Sequence, residues 1–155
     1  MSDFEIIPFE TKYTKDFYRL NIEWLEAFFH VEEFDKQVLS KPDTYIINKG
    51  GYIFLVQKEN EIIGTVALMP TKTENLFELT KMAVSPDYRG LKIGQTLLDY
   101  CIAFVKRKNH KSLILYSSRK LENAIYIYRK KGFVEIPVEE NCHYERCDIK
   151  MELVF

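Results

Sequence analysis

Apolar residues along this chain change repeatedly between helical and extended spacing. Steps of three and four residues predict one helix from the set Phe17, Leu20, Trp24, Leu25 and Phe28. The same spacing predicts a second helix from the set Gly94, Leu97, Leu98, Cys101, Ile102 and Val105. Asn109 is expected to end this second helix in a left-handed cap. Phe34 and Val38 indicate a shorter helix, which Pro42 prevents from running on. A further helix is predicted from the set Leu121, Ala124, Ile125 and Tyr128, with Gly132 ending it.

Extended segments separate these helices. They are predicted at 4–9, 52–57, 62–69, 76–84, 113–116 and 149–155. With one more strand expected between the last helix and the segment 149–155, the order is about β-α-α-β-β-β-α-β-α-β-β. It predicts an α/β fold with a mixed sheet between helices, and it argues against a doubly wound, all-parallel sheet.

Composition narrows the class of protein. The chain has 155 residues, 46% of them hydrophobic and 29% charged, which fits one domain over residues 1–155 with a buried core. A net charge of −1 argues against nucleic-acid and membrane-surface partners, which select a basic field. No apolar run approaches the ~20 residues of a membrane span.

The N-terminus and the cysteines predict a cytoplasmic location. The first five residues include two acidic side chains and no apolar signal segment. Three cysteines are an odd number and do not suggest a secreted disulfide framework. Cys142, His143 and Cys147 lie close together, but no second Cys/His pair follows at zinc-finger spacing, so we expect no metal.

The segment from Val84 to Gln95 carries the first chemical information. An apolar run ends at a Ser-Pro turn, and a basic loop with two glycines, Gly90 and Gly94, then leads directly into an amphipathic helix. Such a loop presents backbone N–H groups, a cation and a positive helix end together, and anionic phosphates bind at that arrangement. Solvated surface charge is the alternative interpretation of Arg89 and Lys92.

Two segments resemble one family. The run from Arg89 to Gly94, Arg-Gly-Leu-Lys-Ile-Gly, resembles the Gln/Arg-x-x-Gly-x-Gly/Ala loop of the GCN5-related N-acetyltransferases. The run from Asn123 to Phe133 resembles their later Asn…Tyr…Gly-Phe segment. The resemblance is strong over about residues 76–133 and weak before Gly50. It implies a mostly antiparallel sheet of six or seven strands, splayed at the cofactor site and flanked by about four helices.

The resemblance implies acetyl-CoA as cosubstrate. Amides of the loop would face the pyrophosphate, Arg89 would add charge-assisted contacts, and Asn123 would contact the cofactor arm. A polar residue near a helix start is the alternative for Asn123. The full set expected to bind acetyl-CoA is Met82, Ala83, Val84, Arg89, Gly90, Leu91, Lys92, Ile93, Gly94, Gln95, Asn123 and Tyr128, the first three through their backbones.

Two catalytic roles follow from the same resemblance. Tyr128 matches the tyrosine that protonates the departing thiolate, although it also fits an apolar stripe and could serve packing alone. Glu78 matches the strand glutamate that acts as general base in members that acetylate lysine, although a solvated rim carboxylate is equally consistent. Period-two alternation places Glu78 on the same strand face as Met82 and Val84.

Two residues depart from the family pattern. Lys92 stands where glycine is usual, and we expect helical φ/ψ there with a net electrostatic benefit for binding. Tyr126 stands where a small residue is usual, and we interpret it as altered helix packing rather than lost function.

The acceptor is expected to be an amine of a small molecule or peptide, and a homodimer is kept open as the assembly. By analogy the acceptor lies near Phe29, His30, Tyr144 and Arg146. Acidic residues in the predicted cleft walls suggest a cationic amine or, alternatively, plain surface: Glu32, Glu33, Asp35, Glu139 and Glu140.

The functional prediction is N-acetyl transfer by direct attack in a ternary complex. A non-catalytic acyl-CoA sensor is the alternative from another class, and retention of both Tyr128 and Glu78 favours the enzyme. A nucleotide-binding module is disfavoured, because neither Gly-x-x-x-x-Gly-Lys-Ser/Thr nor Gly-x-Gly-x-x-Gly occurs.

Overall fold

The computed structural model describes residues 4–90, 92–140 and 146–155. These residues form one seven-stranded sheet in the order β1-β2-β3-β4-β5-β7-β6. The strands are β1 (Phe4–Pro8), β2 (Tyr52–Lys58), β3 (Glu61–Pro70), β4 (Phe77–Val84), β5 (Ser112–Ser117), β6 (Val134–Ile136) and β7 (Ile149–Val154).

Five α-helices occur in the described part of the chain. They are α1 (Thr14–Phe28), α2 (Glu33–Ser40), α3 (Pro42–Tyr45), α4 (Ile93–Arg107) and α5 (Glu122–Lys130). The predicted element order is confirmed, with α3 as the one addition. Pro42 ends the preceding helical run, as expected, and also begins α3, because proline fits the first helical turn. None of these helices is long and apolar enough to cross a membrane.

The strand pairing confirms a mixed, mostly antiparallel sheet. Every neighbouring pair is antiparallel except β4 and β5, which run parallel. The β4–β5 pairing covers only Phe77 to Leu79 of β4, opposite Leu113 to Leu115 of β5. Both strands continue beyond it, so they separate at their C-terminal ends.

The sheet separates two hydrophobic cores. On one face, α4 packs through Leu97, Leu98 and Cys101 against strand residues that include Leu68 and Leu115. On the other face, α1 and α2 contribute a second core whose members include Phe17, Leu20, Leu25, Val38 and Leu39. The helical spacing of the sequence therefore corresponds to real buried faces, and the sheet is held rigidly between two helical layers.

Two helix ends adopt the left-handed conformation that the sequence predicts. Asn109 follows α4 with a φ of 64°, and Gly132 follows α5 with a φ of 105°. Asparagine and glycine tolerate this conformation best, which is why they end helices. Gly132 is followed by Phe133, which is fully buried and packs against Tyr128 of α5.

Candidate active site

A cleft of about 650 Å³ opens where β4 and β5 separate. Its walls come from both strands, from the start of α4, from α5, and from the α1 and α2 layer. Beyond Leu79 no described residue pairs with the edge of β4 on the β5 side. Peptide groups on that edge are therefore available to a bound molecule, since buried backbone donors and acceptors need partners.

A β-bulge interrupts β4 inside this cleft. Ala67 of β3 pairs with Thr80 and Thr65 pairs with Ala83, so two residues of β4 oppose Val66 alone. One of these two, Lys81, has a φ of 55°. An extra residue in a strand reverses the faces of all residues beyond it.

The bulge corrects the predicted position of Glu78. Phe77 and Leu79 belong to the core on the α4 side, so Glu78 between them points to the α1 and α2 side. Met82 and Val84, beyond the bulge, pack on the α4 side. Glu78 and Met82 therefore lie on opposite faces, and the prediction from unbroken alternation was wrong.

The peptide groups of Met82 and Val84 face the open edge. Arg89 Nε donates to the carbonyl of Val84 at 3.0 Å, whereas the N–H of Ser85 donates to Ile63 of β3 at 2.8 Å. Since neighbouring peptide groups alternate, those of Ala83 also face β3. Ala83 is thus removed from the predicted set of cofactor-binding backbones, while Met82 and Val84 stay in it.

The first turn of α4 opens into the same cleft. Ile93, Gly94 and Gln95 line the cleft together with Gly90 and Lys92. Among the described residues, the first intrahelical bond of the turn goes from Thr96 N–H to the Lys92 carbonyl, and the amides before Thr96 have no partner there, which leaves them for a ligand. This is the anion-binding arrangement that the loop predicts. Leu91 lies outside the described residues.

Arg89 does not point to this anion site. Its guanidinium donates to Oε1 of Glu23 on α1 at 2.6 Å and lies over the Phe28 ring at 5.4 Å. Together with the bond to Val84, these contacts use the side chain to tie the loop to α1. The predicted phosphate contact of Arg89 is therefore replaced by a structural one.

Lys92 also differs from its prediction. Its φ of 62° and ψ of 22° are left-handed, not right-handed helical. The glycine usual at this position in the family pattern adopts that conformation without a Cβ penalty, which explains the preference. Lys92 therefore strains the loop, although its cation does line the cleft.

We expect Lys92→Gly to stabilise the protein by roughly 0.5–1 kcal/mol, because relief of left-handed strain exceeds the entropy that glycine adds to the unfolded chain. The midpoint of thermal unfolding should rise by roughly 1–4 °C. Lys106→Gly, the same change inside α4, should instead lower it. A fall with Lys92→Gly would show that the left-handed conformation costs nothing.

Tyr128 lies on α5 and lines the cleft. Its half-buried ring packs edge-on against Phe133 at 5.8 Å, and its hydroxyl forms no hydrogen bond with the described residues. Burial raises the pKa of Tyr128 to about 12, so the phenol stays protonated. Asn123, one helical turn and a residue earlier, is exposed and also lines the cleft.

Tyr126 does not alter helix packing, contrary to the prediction. The residue is 63% exposed and sits at the edge of the cleft. The position is on the outer side of α5, where a large side chain has room.

Glu78 and Lys81 are two ionisable side chains with shifted pKa values on the α1 and α2 side of the cleft. Burial raises the pKa of Glu78 above 4.5, and the positive charges of Lys81 and Lys150 oppose that rise. Burial also lowers the pKa of Lys81 to about 8, with Asp35 and Glu78 opposing. Perturbed groups of this kind are concentrated at functional sites.

A buried ion pair joins α2 to the segment before β7. Arg146 donates to Asp35 through both terminal nitrogens, at 2.7 and 3.1 Å, and to Glu32 at 3.2 Å. Asp35 also accepts from the N–H of Glu32 at 2.9 Å, closing a capping box at the start of α2. Arg146 does line the cleft, but its guanidinium faces these carboxylates.

These contacts correct the predicted acidic wall. Asp35 and Glu32 share the single positive charge of Arg146, and Glu139 contacts Lys150 and Tyr116. Glu33 and Glu140 are exposed and do not line the cleft. Of these five acidic residues only Asp35 lines the cleft, and it is ion-paired with Arg146, so the predicted acidic wall does not form as a set.

Not all of the other predicted acceptor residues line the cleft. Phe29 lines the cleft beside Trp24 and Phe28, and Lys120 lies over its ring at 4.7 Å. His30 is exposed and is not part of the cleft lining. Tyr144, Cys142 and His143 lie outside the described residues. Within the described residues no three His, Cys, Asp or Glu side chains form a metal-binding group.

Comparisons with known proteins agree with this geometry. A family model described as an acetyltransferase (GNAT) domain matches residues 49–135. A probable N-acetyltransferase 14 from Xenopus tropicalis is 33% identical over 78 residues, or 50% of this chain and 38% of that protein. The chain thus spans well under two thirds of that relative.

Solved structures extend the similarity to the whole fold. A GNAT-family acetyltransferase from Staphylococcus aureus matches with a TM-score of 0.85 at 25% identity, over 97% of this chain and 98% of that one. PaiA N-acetyltransferase from Thermoplasma acidophilum, in complex with coenzyme A, matches with a TM-score of 0.75 at 21% identity, over 100% of both chains.

Proposed function

The chain belongs to the GNAT acetyltransferase family, and on this premise we propose that it transfers an acetyl group from acetyl-CoA to an amine by direct attack in a ternary complex. The observation that carries the proposal is the separation of β4 and β5. It brings open peptide groups, a helix N-terminus, a protonated phenol and a carboxylate to one cleft.

The residues present fit acetyl-CoA. The amides of Ile93, Gly94 and Gln95, which have no partner in the part of the chain that the structure describes, suit a pyrophosphate. An ideal Cβ at Gly94 would come no closer than 3.6 Å to Met82, so the turn is not crowded. The open edge of β4 at Met82 and Val84 suits the amide groups of a pantetheine arm. Bound there, acetyl-CoA supplies the activated acetyl group.

The protein's own groups then have distinct tasks. An N–H of Met82 or Val84 on the open edge stabilises the negative charge that develops on the thioester oxygen. Glu78, directly or through water, accepts the proton of the amine, because a protonated amine has no lone pair for attack. Tyr128 donates its proton toward the departing sulfur. No step uses a metal.

The acceptor is proposed only as an amine of a small molecule or peptide. The aromatic side chains Trp24, Phe28 and Phe29 form much of the α1 wall of the cleft, and Asp35, the α2 carboxylate in the lining, is ion-paired with Arg146. Shape and apolar contact should therefore select the acceptor more than net charge does. The homodimer, the cytoplasmic location and the absence of membrane or nucleic-acid partners stay predictions.

Acetyl-CoA is expected to raise the midpoint of thermal unfolding, since a ligand that binds only the native state stabilises it. CoA should act similarly, and adenosine, which lacks both pyrophosphate and pantetheine, should act much less. No shift at about millimolar acetyl-CoA, a concentration high enough to saturate sites of ordinary affinity, would contradict the assignment.

A further inference from the structure

Lys81 holds an unusual backbone conformation for its position. It lies inside β4, yet its φ of 55° is left-handed, and it is part of the bulge opposite Val66. A lysine pays a steric penalty there that glycine would avoid. Such strain persists mainly where the position of a side chain serves function.

The bulge brings the Lys81 side chain to the acceptor side of the cleft. Lys81 lines the cleft together with Glu78, Asp35 and Arg146. Its charged neighbours come from three elements: Glu78 from β4, Asp35 from α2, and Arg146 from the segment before β7. Of the two carboxylates, Asp35 acts on Lys81 more strongly and is also ion-paired with Arg146, whereas Glu78 lies on the same strand as Lys81.

Glu78 in turn faces further charges. Lys150 of β7 and Glu139 of the preceding segment both act on it, and these two residues contact each other. Tyr116 of β5 contacts Glu139 as well. Burial has the largest effect on the pKa of both Glu78 and Lys81, and these charged neighbours modify it.

We propose that Lys81 is the terminal proton acceptor of the transfer: the proton that Glu78 takes from the acceptor amine passes on to the neutral Nζ of Lys81. This inference rests on the proposed function. A pKa of about 8 leaves about a tenth of Lys81 neutral at pH 7 and about half at pH 8, and it makes the amine a stronger base than the carboxyl of Glu78. Transfer from Glu78 to Lys81 is then downhill.

The proton balance is complete. The acceptor ammonium loses one proton to Glu78, and Lys81 receives it and later releases it to solvent. The freed nitrogen lone pair forms the bond to the acetyl carbon, while the carbon–sulfur pair leaves with the sulfur, which Tyr128 protonates. The nitrogen's remaining excess proton follows the same route, and Tyr128 regains its own from solvent.

A second role for Lys81 predicts a different result. If Lys81 served only as a positive charge beside Glu78, any cation would suffice. Arginine supplies that charge but does not lose its proton in proteins. Lys81→Arg therefore separates proton acceptance from simple charge pairing.

The test compares kcat of wild type, Lys81→Arg and Lys81→Gly with one amine that wild type acetylates, drawn from a panel of amino acids, polyamines and a lysine peptide. We expect both variants to lose at least about tenfold in kcat near pH 8, within the range of proton-transfer catalysis, with KM for acetyl-CoA unchanged. Lys81→Gly should also unfold at a higher temperature, because glycine relieves the strained φ. Lys72→Arg, an exposed loop lysine, should match wild type.

The loss should shrink as pH rises toward the pKa of ordinary amines, about 10, since the acceptor then deprotonates unaided. Trace labelling of lysines with acetic anhydride gives a readout that needs no turnover, and the Lys81 peptide should titrate near 8. A wild-type kcat in Lys81→Arg, or a labelling midpoint for Lys81 at or above about pH 10, overturns this inference and leaves the proposed function standing. A wild type that acetylates no amine in the panel overturns the proposed function and the inference with it.

Discussion

Tyr128→Phe is expected to lower kcat by about 10²–10³-fold, the usual loss when one donor aimed at developing charge is removed. Phenylalanine keeps the edge-on contact with Phe133 and deletes only the hydroxyl. Since burial raises the pKa of Tyr128 to about 12, the donor is present at every pH of practical use. The phenol gives its proton to the sulfur as the carbon–sulfur bond breaks, so its removal affects the transition state and not the binding of acetyl-CoA.

The measurement is kcat and the acetyl-CoA dissociation constant for the variant and wild type. Binding should change little. Tyr100→Phe is a matched control, because Tyr100 is another half-buried tyrosine packed on the same core and lies outside the cleft. Equal kcat in Tyr128→Phe and wild type would make Tyr128 a packing residue.

Glu78→Gln is expected to cause a loss of roughly 10²–10⁴-fold in kcat at low pH and a smaller loss as pH rises. The carboxylate is needed only while the acceptor amine is protonated, so a free amine at high pH bypasses it. Because burial raises the pKa of Glu78 above 4.5, the acidic limb of the wild-type profile should lie above the ordinary glutamate value.

Stability separates this catalytic role from a structural one. A raised pKa means that folding favours the protonated carboxyl, so stability falls as pH rises from the unfolded pKa through the folded one. Above that window the ionised Glu78 costs stability, and glutamine removes the cost. Glu78→Gln should therefore melt no lower than wild type. A variant that melts lower and whose kcat defect is the same at every pH would assign Glu78 to structure; Glu74→Gln, at an exposed position, controls for the lost charge.

Local patterns predicted most of the fold and the anion site. The apolar spacing of α4, the alternation in β7 and the left-handed residues Asn109 and Gly132 are all properties of neighbouring residues, and each prediction is confirmed. The loop before α4 was recognised for the same reason. Its residues contribute mainly backbone groups, whose positions follow from the turn itself.

Contacts between distant segments could not be predicted in this way. Arg89 forms an ion pair with Glu23, 66 residues away in sequence, and Arg146 forms one with Asp35, 111 residues away. The sequence predicts that Arg89 contacts acetyl-CoA and that Arg146 lies near the acceptor, because neither ion-pair partner is close in sequence. The spacing of Glu32 and Asp35 at the start of α2 does resemble a capping box, and it would have shown that Asp35 is committed.

The bulge in β4 does have a trace in the sequence. Phe77 and Leu79 are apolar at odd positions, whereas Met82 and Val84 are apolar at even positions. Such a change of phase within one strand indicates an inserted residue. Recognising it would have placed Glu78 on the correct face and would have drawn attention to Lys81, the residue at the change.

The central claim is that this chain transfers an acetyl group to nitrogen, and one measurement tests it directly. Acetyl-CoA with an isotopically labelled acetyl group is mixed with the protein and each amine of a broad panel, and free CoA and acetylated amine are quantified together. We predict equal amounts of both products, dependent on protein and amine. Stabilisation by acetyl-CoA with no acetylated product from any amine would contradict the account and favour an acyl-CoA sensor.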